Sequence, residues 1–253
     1  VRLAGLYALQ RLGQTYPEQR RLIVNVWCAY LRMPFRAPDT EGLDEHERAE
    51  RRQELEVRLT VQRLLREHVH AGPGEGEPAL PQFWGEALDV DLTGATLYEL
   101  DLRHCRIHPR TIFNRATFIG RASFTHTTFT GIAWFGDATF TDGALFAHAA
   151  FTDATFFGGA TFTKGASFHD PRFTGYPYFS NVTFTGSVSF RKAALPNGID
   201  FTKARAQRDR AHVWPAGWEL VAAERGDVPG GEDPDVAWGW LVRVPAESGA
   251  DPD

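Results

Sequence analysis

Three histidines with metal-ligating side chains occur at equal intervals in the middle of the chain. His104, His126 and His148 are 22 residues apart, and Asp170 and Lys192 continue the interval. If the chain folds into coils of this length, these side chains would stack about 5 Å apart at one corner. Adjacent imidazoles at that distance could share a transition metal. The interpretation that we favour is a solvated polar column, because nothing in the sequence supplies residues to orient the imidazoles.

Threonines form a second candidate surface. They lie on both sides of three phenylalanines that are also 22 residues apart, and the pairs are Thr139 with Thr141, Thr161 with Thr163, and Thr183 with Thr185. Two parallel files of hydroxyls on one flat face would suit the binding of ice or a polysaccharide. Threonine also favours β structure for its own sake. Both interpretations remain open at this stage.

The sequence has little that supports catalysis. It contains no G-x-S-x-G, C-x-x-C or H-E-x-x-H motif, and no glycine loop followed by a lysine that could cradle a phosphate. Its central carboxylates are scattered at outward positions, at Asp137, Asp142, Asp153 and Asp170. Paired acid and base chemistry requires environments that separate two pKa values. We therefore predict that the protein is not an enzyme and has no cofactor and no metal.

The elements that position these residues follow from a periodic placement of phenylalanine. Large apolar residues recur in steps of five and six, so that four steps make about 22 residues. The predicted inward columns are Leu102, Phe124, Phe146, Phe168, Phe190; Ile107, Phe129, Phe151, Phe173, Leu195; Phe113, Phe135, Phe156, Phe179, Phe201; and Phe118, Phe140, Phe162, Phe184. A short fixed period with one large apolar residue per unit is typical of a solenoid, whose core exists only when the units stack.

A second inward position precedes each large residue by two. It is usually alanine, as at Ala116, Ala122, Ala133, Ala138, Ala144, Ala149, Ala154, Ala160 and Ala166. The flanking residues are mostly threonine and serine, as expected where side chains alternate between the two sides of a β ladder. Four sides of five or six residues predict a square coil, and about five coils in all.

The stretches ATFIGRASF, DATFTDGALF, GATFTKGASF and NVTFTGSVSF resemble the pentapeptide-repeat family, in its phenylalanine-rich bacterial branch. The resemblance covers roughly residues 87 to 205. It implies a right-handed quadrilateral β-helix with one coil per four steps, so the fold class is mainly β. It also implies that a partner protein is the natural target. Well-understood members of the family imitate DNA and bind type II topoisomerases such as gyrase.

The flanking segments are predicted to close the two ends of the solenoid. Residues 1–70 form an α-helical cap, with two helices broken near Pro17 and a third from about Asp44 to Val69, and residues 71–86 form a glycine- and proline-rich linker. The β-helix occupies 87–205. Residues 206–253 contain a hairpin lid and an acidic tail, with Trp214, Trp218, Trp238 and Trp240 beside two strands. An aromatic platform for sugars or bases is the alternative for these indoles.

Charge argues against imitation of DNA. Residues 86–205 hold 10 acidic and 11 basic side chains, whereas residues 206–253 hold 10 acidic and 4 basic ones. A near-neutral rod cannot present the potential of a phosphate ladder. The arginines Arg103, Arg106, Arg110, Arg115 and Arg121 gather at the first coils, and a solvated face is the favoured interpretation of that cluster over a docking patch. We expect no nucleic-acid partner.

The predicted location is the cytoplasm. Cys28 and Cys105 are the only cysteines, which fits a reducing compartment, and the chain has no apolar run long enough to span a membrane and no signal-peptide pattern. It begins with Val1 in the middle of a helical pattern, so we expect an upstream segment, which could attach the protein to a membrane. The predicted function is a non-enzymatic protein-binding scaffold. A modulator of gyrase and a purely structural role are the alternatives.

Overall fold

The computed structural model describes residues 2–72, 80–85, 88–107, 109–223 and 236–244. It is a mainly β protein, a parallel solenoid of about six coils spaced about 22 residues apart, with helices before it and an antiparallel hairpin after it. The predicted fold class is confirmed, with one coil more than the sequence suggested. Half of the predicted linker, the acidic loop of the hairpin and the end of the acidic tail lie outside the described residues.

Four parallel sheets form the sides of the coil. The aromatic face consists of β1 Val90–Asp91, β4 Arg110–Ile112, β8 Ile132–Trp134, β12 Thr155–Phe156 and β16 Pro177–Tyr178. The threonine face consists of β2 Thr96–Tyr98, β5 Thr117–Ile119, β9 Thr139–Phe140, β13 Thr161–Phe162, β17 Thr183–Phe184 and β19 Arg205–Gln207. The small-residue face consists of β6 Ala122–Ser123, β10 Gly143–Leu145, β14 Gly165–Ser167, β18 Ser187–Ser189 and β20 His212–Val213. The arginine face consists of β3 Arg106–Ile107, β7 Thr128–Phe129, β11 Ala150–Phe151 and β15 Arg172–Phe173.

The interior is filled by stacked phenylalanines. Phe118 and Phe140 lie 4.4 Å apart between ring centroids with parallel planes, and Phe124 and Phe146 lie 4.8 Å apart. Rings from neighbouring columns meet edge to face, as Phe135 and Phe146 do at 90°. Burial of one such side chain contributes about 1.5–3 kcal/mol before the entropy of ordering is counted. The rung spacing of the backbone therefore sets the spacing of the rings.

One predicted inward residue is wrong by a single position. Phe157 is fully buried and stacks on Phe135 at 4.7 Å, whereas Phe156 lies on the outer surface. The small inward position moves with it, from Ala154 to Thr155, which is 1% exposed. The reason is the register of the sheet, in which Thr155 pairs with Ala133 and Phe156 with Trp134. The interval from Phe135 to Phe157 thus equals the interval in the other columns.

Helices close the N-terminal end of the solenoid. They are α1 Arg2–Thr15, α2 Arg20–Arg32 after a short 3₁₀ turn at Pro17–Gln19, and α3 Glu45–Val69. Asp44 caps α3 in a reciprocal capping box with Glu47. The Gln62 amide then satisfies the open edge of β2, since Tyr98 N donates to Oε1 and Nε2 donates to the Tyr98 carbonyl.

A hairpin closes the other end. Its strands are β21 Trp218–Ala222 and β22 Trp238–Arg243, and β22 pairs antiparallel with β19. Trp214 and Trp218 lie against the terminal ring of Phe201, with centroids 6.0 and 5.2 Å away. The hairpin thus continues the threonine face as a sheet while its indoles cover the last coil.

Candidate binding surfaces

The aromatic face carries a second ring stack, on its outer side. Trp134, Phe156 and Tyr178 follow one another at intervals of 22 residues, with centroids 4.2 and 4.7 Å apart and planes within 12°. Each ring is half-buried. Because the rings stack along the axis of the rod, the faces between them are covered and their edges point outward. The result is an apolar strip three rungs tall, with the Tyr178 hydroxyl at one end.

A groove of about 620 Å³ runs beside this strip. Its other side is polar and is lined by Thr93, Asn114, Arg115, Gly136, Asp137, Gly158 and Ser180. Gly136 N donates to the Asn114 side chain at 2.8 Å, so the rungs of the polar side are tied together. An apolar centre with a polar border is the usual composition of a protein interface, in which aromatic residues are enriched.

The three histidines stack as their spacing predicts. The rings of His104 and His126 lie 4.9 Å apart and those of His126 and His148 lie 4.7 Å apart, with planes within 10°. All three residues occupy the left-handed backbone region at the corner before the arginine face, with φ of 56° to 57°. The column is extended by Asp170, whose carboxylate lies 3.2 Å from His148 Nδ1.

This geometry does not converge on a metal ion. Imidazole nitrogens bind metals in the plane of the ring, and three parallel rings direct their lone pairs side by side instead of toward one point. Within the described ranges no group of three or more His, Cys, Asp or Glu side chains is arranged to hold a metal. The pKa of His126 lies below its usual value because of partial burial, with His104 and His148 adding like-charge repulsion.

The threonine files lie on one face, as the sequence indicates. Thr139, Thr161 and Thr183 are partners in the ladder and are half-buried. In the second file, the Thr141 hydroxyl donates to the Phe118 carbonyl and the Thr185 hydroxyl to that of Thr163. Part of this file therefore ties one coil to the next, and those hydroxyl protons are not available to a ligand.

The remaining candidate side chains from the sequence are buried or paired with other residues of the protein. Cys28 and Cys105 are buried and free, and burial raises both thiol pKa values, that of Cys28 to about 12, so neither forms a thiolate near neutral pH. Asp142 is tied to Lys164 at 2.7 Å. The Trp238 ring is covered by the Arg205 guanidinium 5.1 Å away.

Among the described helices, none has the length and apolar character needed to cross a bilayer.

Sequence reasoning misses the outward aromatic strip. The signal is present, since Ile112, Trp134, Phe156 and Tyr178 share the 22-residue interval. It is hidden because Phe156 also fits the step expected of an inward residue.

Fold and surface together define a class of protein: a repeat scaffold, whose rigid coil displays columns of side chains at a fixed spacing. The model of the family described as "Pentapeptide repeats (9 copies)" matches residues 124–170 and 169–209. This match over residues 124–209 supports a pentapeptide-repeat protein. Searches of the curated proteins and of the solved structures found no significant match to this chain.

Proposed function

We propose that this protein is a non-enzymatic scaffold that binds a partner protein through its aromatic face. The observation that carries the proposal is the outward stack of Trp134, Phe156 and Tyr178. Outward positions on the threonine face are threonines at the same rungs, so large apolar side chains are not required for the coil to form.

The physical character of this strip suits a partner protein. The stacked rings have already lost their rotational freedom in the free protein. A partner that covers them therefore causes little further loss of side-chain entropy. Arg115 and Asp137 occupy successive rungs of the bordering corner and provide charges of both signs. A polar border of this kind provides orientation and excludes water around an apolar centre.

The same strip argues against an alternative ligand class. Sugars and bases bind aromatic residues through ring faces, and the stack covers both faces of Phe156 and one face each of Trp134 and Tyr178. A surface of ring edges is instead suited to packing against the side chains of another protein.

The test is affinity capture from nuclease-treated native lysate with the full chain as bait. The variant is the pair Trp134→Thr and Phe156→Thr, which uses the residue found at outward positions of the threonine face. The matched control is the pair Thr139→Val and Thr161→Val, on the same two coils. We expect a discrete partner to be retained by the wild type and by the control and lost by the aromatic variant.

Two results would contradict the proposal. If the aromatic variant still binds the partner, the aromatic face is not the binding surface. If only the threonine control loses the partner, the threonine face is the binding surface. Thermal unfolding of all three proteins must show the folded state at the temperature of capture. Inhibition of gyrase supercoiling by the wild-type protein, unchanged in the aromatic variant, would favour the family's topoisomerase role instead.

A further inference from the structure

A second groove follows the histidine column on the side of the arginine face. It has a volume of about 180 Å³ and is lined by Ala71, Gly72, His104, Cys105, Arg106, His126, Thr128, His148, Ala150 and Arg172. Arg106 and Arg172 occupy the first and last strands of the arginine face, with Thr128 and Ala150 between them. At about 4.8 Å per rung, the two guanidinium-bearing positions are separated by roughly 14 Å along the rod.

The described residues that line this groove include basic groups. None of the described lining residues is a carboxylate, and Arg106 forms no ion pair with a described residue. The three imidazoles of the lining contribute as many as three further positive charges when they are protonated. The groove is therefore a region in which cationic groups accumulate, on a rod that is near neutral as a whole.

The charged groups around the groove come from four elements. His70, after α3, lies 6.2 Å from His104, and its pKa is lowered by burial first, then by Arg66 and His104. The carboxylate of Asp101 is shared by Arg66 and Arg103. At the far end Asp170 pairs with His148, and the His169 ring meets that of His148 at 5.6 Å. Asp101 and Asp170, the described carboxylates beside the groove, thus have basic partners already.

Protonation of His126 is opposed by its position in the middle of the stack. Adjacent imidazolium rings less than 5 Å apart repel each other, and an anion in the groove would offset that repulsion. Anion binding and proton uptake must then favour each other, because each lowers the cost of the other.

The spacing of the column distinguishes between kinds of polyanion. Carboxylates on one side of an extended peptide recur about every 6.6 Å, which does not match rungs of 4.7 to 4.9 Å. A protein that binds single-stranded nucleic acid combines backbone contacts with base stacking on aromatic faces, and here the imidazole faces within the column are covered by one another. A flexible phosphate chain has an oxyanion on every unit and can follow any rung spacing.

We propose that this groove binds an extended phosphate chain of the inorganic polyphosphate type, and that binding tightens as the histidines gain protons. Arg106 holds one end of the bound stretch through charge-assisted hydrogen bonds, and the strand of Arg172 marks the other end. The imidazoles donate to the phosphates between them.

The experiment is calorimetric titration of the full chain with tripolyphosphate and with a longer polyphosphate, at low salt, at pH 6 and pH 8. We expect tighter binding at pH 6 and, for Arg106→Gln, about a tenfold loss of affinity. Arg121→Gln, on an exposed arginine before the small-residue face, is the matched control and should change the affinity less than about twofold. Arg106→Lys, which keeps the charge, should retain most of the affinity.

His126→Asn tests the coupling to protons. Asparagine tolerates the left-handed backbone at this corner, so the coil is preserved. The variant should reduce the difference in affinity between pH 6 and pH 8, whereas His46→Asn on the exposed side of α3 should leave it unchanged. A melting temperature close to that of the wild type confirms the fold of each variant.

The proposal is overturned by any of three results. These are an absence of binding at both pH values, an equal loss in Arg106→Gln and Arg121→Gln, and equally tight binding of a polyglutamate peptide or single-stranded DNA. The first would mean that the groove is only a solvated corner. The second would mean diffuse attraction, and the third would mean that the groove does not select phosphate chains.

Discussion

Phe156 and Phe157 are neighbours in the chain and belong to two ring stacks with nearly the same spacing. Phe157 stacks on Phe135 at 4.7 Å inside the coil, and Phe156 stacks on Tyr178 at 4.7 Å outside it. The first is fully buried and the second is half-buried. Stacking distance therefore reports only the rung spacing of the solenoid, and burial decides which stack serves stability and which is available for recognition.

The largest effect expected is that of Phe157→Ala. Removing a fully buried ring leaves a cavity between Phe135 and Phe179 that rigid neighbouring coils cannot fill, so we expect a loss of about 3–5 kcal/mol in the free energy of unfolding. Urea denaturation followed by circular dichroism measures it. A loss below about 1 kcal/mol would mean that Phe157 is not the inward residue.

A smaller effect is expected from Ala138→Val, in the small inward column. Ala138 is fully buried beside the stacked rings, so added methyl groups must displace packed neighbours, at a cost of about 1–3 kcal/mol. Thr139→Val, one residue later and outward, is the control and should change the free energy of unfolding by about 0.5 kcal/mol or less. Equal effects at the two positions would contradict the alternation of inward and outward sides.

Phe156→Thr should have a smaller effect on stability and a large one on binding. A cross-strand aromatic pair contributes about 0.2–1 kcal/mol, and threonine is accepted at outward positions of the coil. The same urea titration gives the stability, and partner capture gives the function. A destabilisation as large as that of Phe157→Ala would identify the outer stack as structural.

The smallest effect concerns pH and the histidine column. The folded pKa of His126 is lowered, so the folded state binds fewer protons than the unfolded chain, whose histidine pKa is about 6.5. The associated stability is present above that value and is lost as pH falls through the folded pKa. We expect His126→Asn to lose less stability than the wild type between pH 8 and pH 5.

Buried His68 is an internal reference for this experiment. Its ring stacks on Trp84 at 3.8 Å and lies 5.8 Å from Trp27. Burial lowers the pKa of His68, so acid destabilises the wild type and the His126→Asn variant alike through this residue. A pH profile that is identical in both proteins would mean that His126 contributes nothing to the loss of stability in acid.

The interior of the solenoid can be predicted from the sequence because it repeats. Each of the columns through Phe124, Phe129 and Phe118 needs only an interval and a large apolar residue. The error at Phe156 arises where two phenylalanines are adjacent, since both fit a step of five or six. Only the pairing of Phe156 with Trp134 resolves which of them faces inward.

The surfaces are harder to predict for a physical reason. Interior positions are restricted to a few apolar residues, whereas outward positions tolerate almost any side chain, so a functional column has no compositional signal of its own. The histidine column is visible because one residue type repeats. The groove beside the histidine column is not visible in the sequence. Arg106 and Arg172 are far apart in the chain, and Thr128 and Ala150 occupy the rungs between them. The contact of Gln62 with Tyr98 likewise depends on how α3 packs on the first coil.

The most direct test of the central claim is site-specific photo-cross-linking in native lysate. A photoreactive phenylalanine analogue is placed at position 156 in one protein and at position 161, on the threonine face of the same coil, in another. We expect a discrete protein adduct from position 156 and none from position 161. An adduct from position 161 alone, or no adduct from position 156, would contradict the assignment of recognition to the aromatic face.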